Sequence, residues 1–234
     1  MDVNSNKYTY FFATVMVVVV AVLLSGLFLS LKPYQDANVE QEKRQDILKS
    51  IGVNVTRSEA IDVYDQYIKR SVVIKNGAIV SEDPSIAFNI DMAKAVKADV
   101  TEREVPLYVA EKDGSTYYIV PMRGTGLWGP IWGNLALKDD GNTVLGATFG
   151  HKGETPGLGA EIATDIFQDQ FPDKQIMEGN SFTSISVIKS GIGSQPSHEV
   201  DGISGGTITS NAVDVMLEDC LQPYVGYFQN LNNN

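Results

Sequence analysis

Phe11 to Leu31 is a run of 21 residues without a charge, rich in Val, Leu and Phe. At about 1.5 Å of rise per residue it spans roughly 31 Å as a helix, the thickness of a bilayer core. Tyr8 and Tyr10 stand at one end and Lys32, Pro33 and Tyr34 at the other, where interfacial anchors belong. A cleaved signal peptide is the competing reading. The run is longer than a signal peptide's apolar region, and no A-x-A-like site follows it. The sequence therefore predicts an uncleaved transmembrane anchor at 11–31 behind a short tail, 1–10. Only Lys7 precedes the span, while Lys32, Lys43, Arg44 and Lys49 follow it. Charge counting taken alone leaves the remainder in the cytoplasm, but the rule is weakest for long domains such as 32–234.

The formal charge of −11 lies almost wholly in that remainder and excludes a nucleic-acid binder, which needs a basic face for phosphates. One Cys and two His exclude an internal disulfide, a Cys-x-x-Cys-His haem site and, nearly, a Cys/His zinc site. His151 and His198 are the only histidines, and no metal site is expected from them. Cys220 lies in an apolar pattern and reads as a buried thiol.

Past the anchor, 32–54 reads as a juxtamembrane helix stopping near Gly52. Hairpin signals come next. Asn76-Gly77 joins Val72–Ile74 to Ala78–Val80, and Asp113-Gly114 joins Leu107–Ala110 to Thr116–Val120. A turn at Asp139–Asn142 joins Ile131–Leu137 to Val144–Phe149. A helix is expected from Gly159 to Gln170, a strand at Ser184–Ile188, and a last helix from Ser210 to Leu221. A polar tail, 229–234, follows a single domain at 55–228. Strands arriving as hairpins predict an α+β fold on an antiparallel sheet with flanking helices.

Three glycine-bearing segments stand out. Gly124-Thr-Gly126-Leu-Trp-Gly129 matches the dinucleotide fingerprint G-x-G-x-x-G, but a strand-like stretch follows it where that fingerprint needs a helix. It reads as a turn, with Trp128 and Trp132 either packing or walling a flat ligand. Glu154-Thr-Pro-Gly-Leu-Gly159 precedes an expected helix. Asp201-Gly-Ile-Ser-Gly-Gly-Thr-Ile-Thr-Ser210 places three glycines and four hydroxyls before the last one. Thr209 or Ser210 can serve as its N-cap, which needs only one hydroxyl. A Gly-rich loop entering a helix also suits an anion.

Asp201-x-x-Ser204-Gly205-Gly206-Thr207 resembles the flavinylation motif D-x-x-S-G-A-T, and Glu154–Gly159 resembles the E-T-P-G-L-G segment of the same covalent FMN-binding domains. With the single anchor and the length, the whole chain resembles the C-subunit family of Na+-translocating NADH:quinone reductases. Gly126-Leu-Trp-Gly-Pro favours that family over its Rnf-type relative. Gly206 stands where the motif usually has Ala, a loss of one methyl.

The resemblance implies a covalent FMN, a phosphoester on Thr207 placed there by a flavin transferase. It implies an electron carrier in a bacterial inner-membrane complex of six subunits, with the flavin domain on the periplasmic side. In such a source the sequon Asn54-Val-Thr56 carries no meaning. Candidate contacts to the flavin are Asp201, Ser204, Gly205, Gly206, Thr209, Glu154, Thr155, Leu158, Gly159, Trp128 and Lys189. Two rival functions stay open: an Rnf-type carrier with the same flavin, and a membrane-tethered sensor with no redox role.

Overall fold

The uncharged run forms part of one continuous helix, α1 (Asn6–Ser50), in the computed structural model, which describes residues 5–189 and 196–232. Among the described residues it is the one helix long and apolar enough to cross a membrane. Its Val, Leu and Phe side chains are exposed, an arrangement suited to lipid and costly in water. Two expectations change here. The N-terminal tail is shorter than 1–10, because the helix is already formed at Asn6. The juxtamembrane helix is a continuation of the anchor, because Pro33 removes one helical hydrogen bond without ending the helix.

The chain divides into two compact units, one ending at Lys43 and one beginning at Arg44. The second unit opens with the last turns of α1. Gly52, at φ +72°, turns the chain after them. Helix α2 (Arg57–Tyr67) follows, its Thr56 N-cap and Glu59 forming a reciprocal capping box.

Strands β1 (Ile68–Lys75) and β2 (Ala78–Ser81) form the first hairpin, and two short helices, α3 (Pro84–Asn89) and α4 (Met92–Ala95), lead to the rest of the sheet. Strands β3 (Glu104–Lys112), β4 (Ser115–Thr125), β5 (Pro130–Leu137) and β6 (Val144–His151) complete it, in the order β2-β1-β3-β4-β5-β6 and antiparallel throughout. The turn residues Asn76, Gly77, Asp113 and Gly114 all have φ between 48° and 78°, the type I′ geometry that their identities favour.

A 3₁₀ turn (Gly159–Ala163) and α5 (Asp165–Gln168) follow, then the short strands β7 (Met177–Glu178), β8 (Ser181–Phe182), β9 (Ser186–Ile188) and β10 (Glu199–Asp201). Helices α6 (Thr207–Leu221) and α7 (Val225–Asn232) end the described chain.

Both faces of the sheet are covered. On one, Tyr118, Val120 and Met122 of β4 pack with Val213, Met216 and Leu217 of α6. On the other, Ile119 of the same strand joins Tyr108, Ala60, Tyr64, Ile47, Leu48 and Ile51. The period-2 alternation of a strand explains how one segment serves two cores. It also explains why Val105–Ala110 is buried at every position.

Four further expectations are corrected. The helix expected over 159–170 is broken at Thr164, which is extended (φ −88°, ψ 152°). Ile162 and Phe167 are both buried, and five residues along a straight helix would point them about 140° apart. The strand expected at Ser184–Ile188 is shorter, since Ser184 has φ 62°, and β9 pairs parallel with β10. The last helix starts at Thr207, three residues earlier than expected. The polar tail is helical through Asn232, because Phe228 is buried in the core and holds α7 in place.

Candidate functional site

The three glycine-bearing segments meet at one end of α6. The first is the β4–β5 connection, where Gly126 N donates to Gly129 O at 2.8 Å and closes a tight turn. Strand follows strand here, so the G-x-G-x-x-G match opens no helix.

Glu154 ties this turn to the other two segments. Its side chain is only 4% exposed. Oε1 accepts from Trp128 N at 2.8 Å, and Oε2 accepts from the Thr209 hydroxyl at 2.7 Å. Its own amide donates to His151 Nδ1 at 3.2 Å. The carboxylate fits because its neighbours lack side chains. A Cβ on Gly126 would lie 2.6 Å from Oε1, and one on Gly159 would lie 2.5 Å from Oε2 and 2.3 Å from Thr209 Oγ1. Real Cβ atoms essentially never make contacts that short.

The third segment is held at both ends. Asp201 N donates to Gln170 Oε1 at 2.8 Å, and Gln170 Nε2 donates back to Asp201 O at 3.2 Å. Gly206 N donates to Ile203 O, and Ile203 N donates to Ser210 Oγ, both at 2.9 Å. Between them Gly205 takes φ +77°, where any side chain would also strike Leu158 Cδ2 at 2.8 Å.

The expected cap is not formed. Gly206 is the N-cap of α6, with no side-chain cap bond, and Thr209 and Ser210 lie inside the helix. Their hydroxyls are buried and engaged elsewhere, on Glu154 and on Ile203 N. Of the four hydroxyls in the segment, those of Ser204 and Thr207 remain exposed. The first amide used within the helix is that of Ser210, donated to Gly206 O, which leaves those of Thr207, Ile208 and Thr209 for a ligand.

Two clefts flank Thr207 and Gly205. The smaller, about 250 Å³, is lined by Leu127, Trp128, Glu154, Thr155, Leu158, Gly159, Gly206, Ile208 and Thr209 besides. The larger, about 460 Å³, takes in Val187, Ile188, Lys189, Ile203, Ser204 and Asn211. Of the residues expected at the site, Asp201 is absent from both linings, and its side chain is exposed. Ser190 and Gly191, which follow Lys189, lie outside the described residues.

Trp128 is 66% exposed and belongs to the cleft. Trp132 instead packs under the Arg123 guanidinium, 5.5 Å from its ring, and over Gly150. Sequence reasoning passed over Leu127, Ile203 and Ile208. Leu127 and Ile208 are large apolar residues inside polar, glycine-rich stretches, and that mismatch was the available signal. No cluster of three metal-ligating side chains exists among the described residues. His198 is buried on the Gln175 carbonyl (2.7 Å) and His151 serves Glu154.

Comparison with known proteins falls on the same segments. Residues 126–222 match the family model of the FMN-binding domain. The chain is 31% identical over 230 residues to the C subunit of the Na(+)-translocating NADH-quinone reductase of Vibrio campbellii, covering 90% of this chain and 88% of that one. It is 33% identical to the corresponding C subunit of Haemophilus ducreyi, with 86% of each chain covered. The solved structure of the C subunit from Parabacteroides distasonis superposes with a TM-score of 0.78 at 45% identity, over 85% of this chain and 96% of that one.

Proposed function

The chain belongs to the C-subunit family of Na(+)-translocating NADH-quinone reductases, and from that premise we propose that it carries FMN as a phosphoester on Thr207. It acts as a membrane-anchored electron carrier inside an inner-membrane complex of six subunits. The flavin domain lies on the periplasmic side, where the transferase reaches it.

One observation carries this reading. Thr207 is an exposed hydroxyl shared by both clefts, while Thr209 and Ser210 are buried and bonded. The surrounding residues fit the group. Unused amides of the first helical turn suit a phosphate, and α6 directs its positive end the same way. Trp128, Leu127, Leu158 and Ile208 offer an apolar lining to a flat ring system. The missing Cβ atoms of Gly205 and Gly159 let Leu158 and the Glu154–Thr209 pair close in beside Thr207. Lys189 adds a cation in the larger cleft.

Bound FMN supplies the electron chemistry. The chain's own work is attachment and orientation. As a subunit of a redox-linked translocase, it is an electron carrier and not a stand-alone catalyst.

Full-length protein co-expressed with a flavin transferase should give a fluorescent band on a denaturing gel. Thr207→Ala should abolish the band and Ser204→Ala should keep it. A dark wild-type band would favour a tethered module without redox function. A reporter fused after Asn234 reads out the sidedness of the domain.

A further inference from the structure

We propose that Glu154 is the positioning residue that selects Thr207 as the acceptor hydroxyl, by holding Thr209 inward. The inference rests on the reading of Thr207 as the attachment site.

Thr207 and Thr209 are the first and third residues of α6. At about 100° per residue, side chains two apart point roughly 200° apart around a helix. Fixing Thr209 toward the protein therefore fixes Thr207 toward solvent. The fixing contact is the 2.7 Å bond from the Thr209 hydroxyl to Glu154 Oε2, with Thr209 2% exposed and Glu154 4%. The other carboxylate oxygen holds Trp128 N at 2.8 Å, so one buried group sets both the acceptor and the edge of the adjoining cleft. Neither oxygen is left without a protein donor. That makes Glu154 part of the frame of the cleft it lines.

The chemistry of the two side chains does not make this choice. Thr207 and Thr209 carry the same chemical group, each on the first turn of the same helix, two residues apart. A transferase joining a phosphate to one of them meets only what the fold exposes. The donor must be a phosphoanhydride of FMN, since an ester made from a free phosphate would have to expel water. Thr207 Oγ bonds to phosphorus, the anhydride P–O bond breaks, a nucleoside monophosphate leaves, and the hydroxyl proton passes to a base of the transferase. A buried hydroxyl already donated to a carboxylate cannot present that oxygen.

The test compares rates of flavin incorporation in the full chain, with the labelled residue mapped by mass spectrometry. Glu154→Gln keeps both contacts. Its carbonyl oxygen accepts from Trp128 N, and its amide donates to a Thr209 hydroxyl that rotates to accept. It should be labelled at close to the normal rate on Thr207. Glu154→Leu and Thr209→Val remove the bond and should slow labelling of Thr207 by about tenfold, the worth of one charge-assisted hydrogen bond. Thr209→Ser restores it. Wild-type rates in both Glu154→Leu and Thr209→Val overturn the proposal. Should Glu154→Leu fail to melt cooperatively, Thr209→Val against Thr209→Ser decides alone. Labelling that survives Thr207→Ala overturns the attachment site itself, a separate result.

Discussion

A methyl group added at Gly206 would lie 3.0 Å from Ile203 Cγ2 and 3.3 Å from Gly159 N, tight but not prohibitive, and the backbone there (φ −103°) suits any residue. Gly206→Ala, which restores the usual motif residue, should therefore keep flavin incorporation. It should cost less than about 1 kcal/mol, alanine being a poorer N-cap than glycine. Thermal melts together with gel fluorescence check both halves. Gly159 has no such latitude, because its Cβ would displace Thr209 and Glu154 together. At this scale the sequence was readable where a motif is local. Asp201 to Thr207 is contiguous, and its glycines and hydroxyls announce a loop feeding a helix. The role of Glu154 was not readable, since its partners lie 26 and 55 residues away. Nor was the difference between the two tryptophans, one set on a strand opposite Arg123 and the other in a turn.

Among elements, α6 is the one that joins core to site. Its buried side packs on β4, and Cys220 marks that contact: Arg123 N donates to Cys220 Sγ at 3.4 Å across it. Burial pushes the Cys220 thiol up to about 11. Below about pH 8 the thiol is protonated folded or unfolded and adds no pH dependence. Above that the unfolded chain releases the proton first, so stability falls as pH rises toward 11. Urea titrations at pH 8 and pH 10 should show the wild type losing roughly 1–2 kcal/mol more than Cys220→Ala over that interval. The early start of α6 escaped a reading by propensity, because Thr, Ile and Ser are indifferent helix formers. Buried bonds to Glu154 and Ile203 hold the first turn instead. The hairpins were legible for the opposite reason, their Asn-Gly and Asp-Gly turns being decided by two adjacent residues. Helices α2, α3 and α4 are short and weakly periodic, and the capping-box spacing Thr56-x-x-Glu59 is the local signal that marks α2.

For the whole molecule, the boundary of the folding unit lies inside a helix. Ile47, Leu48 and Ile51 are buried against the sheet face opposite α6, so the second unit includes the end of α1. A fragment beginning at Arg44 should fold and stay soluble without the apolar run. A fragment beginning at Val55 loses three core side chains, each worth about 2–5 kcal/mol, and should not give a cooperative melt. Circular dichroism of the two fragments separates these outcomes. The sequence placed the linker up to residue 54 because polarity and helical composition look alike on a tether and on a docking turn.

The carboxylate of Glu154 also sets an order of events in the life of the chain. Its two side-chain bonds close loops that bracket much of the domain's second half, and the helix they secure is among the last parts to be synthesised. The Thr209 contact cannot form before α6 has been made. A nascent or misfolded chain exposes both hydroxyls alike, so the choice between Thr207 and Thr209 exists only once the domain has folded. The residue that bears the cofactor thereby reports a completed fold.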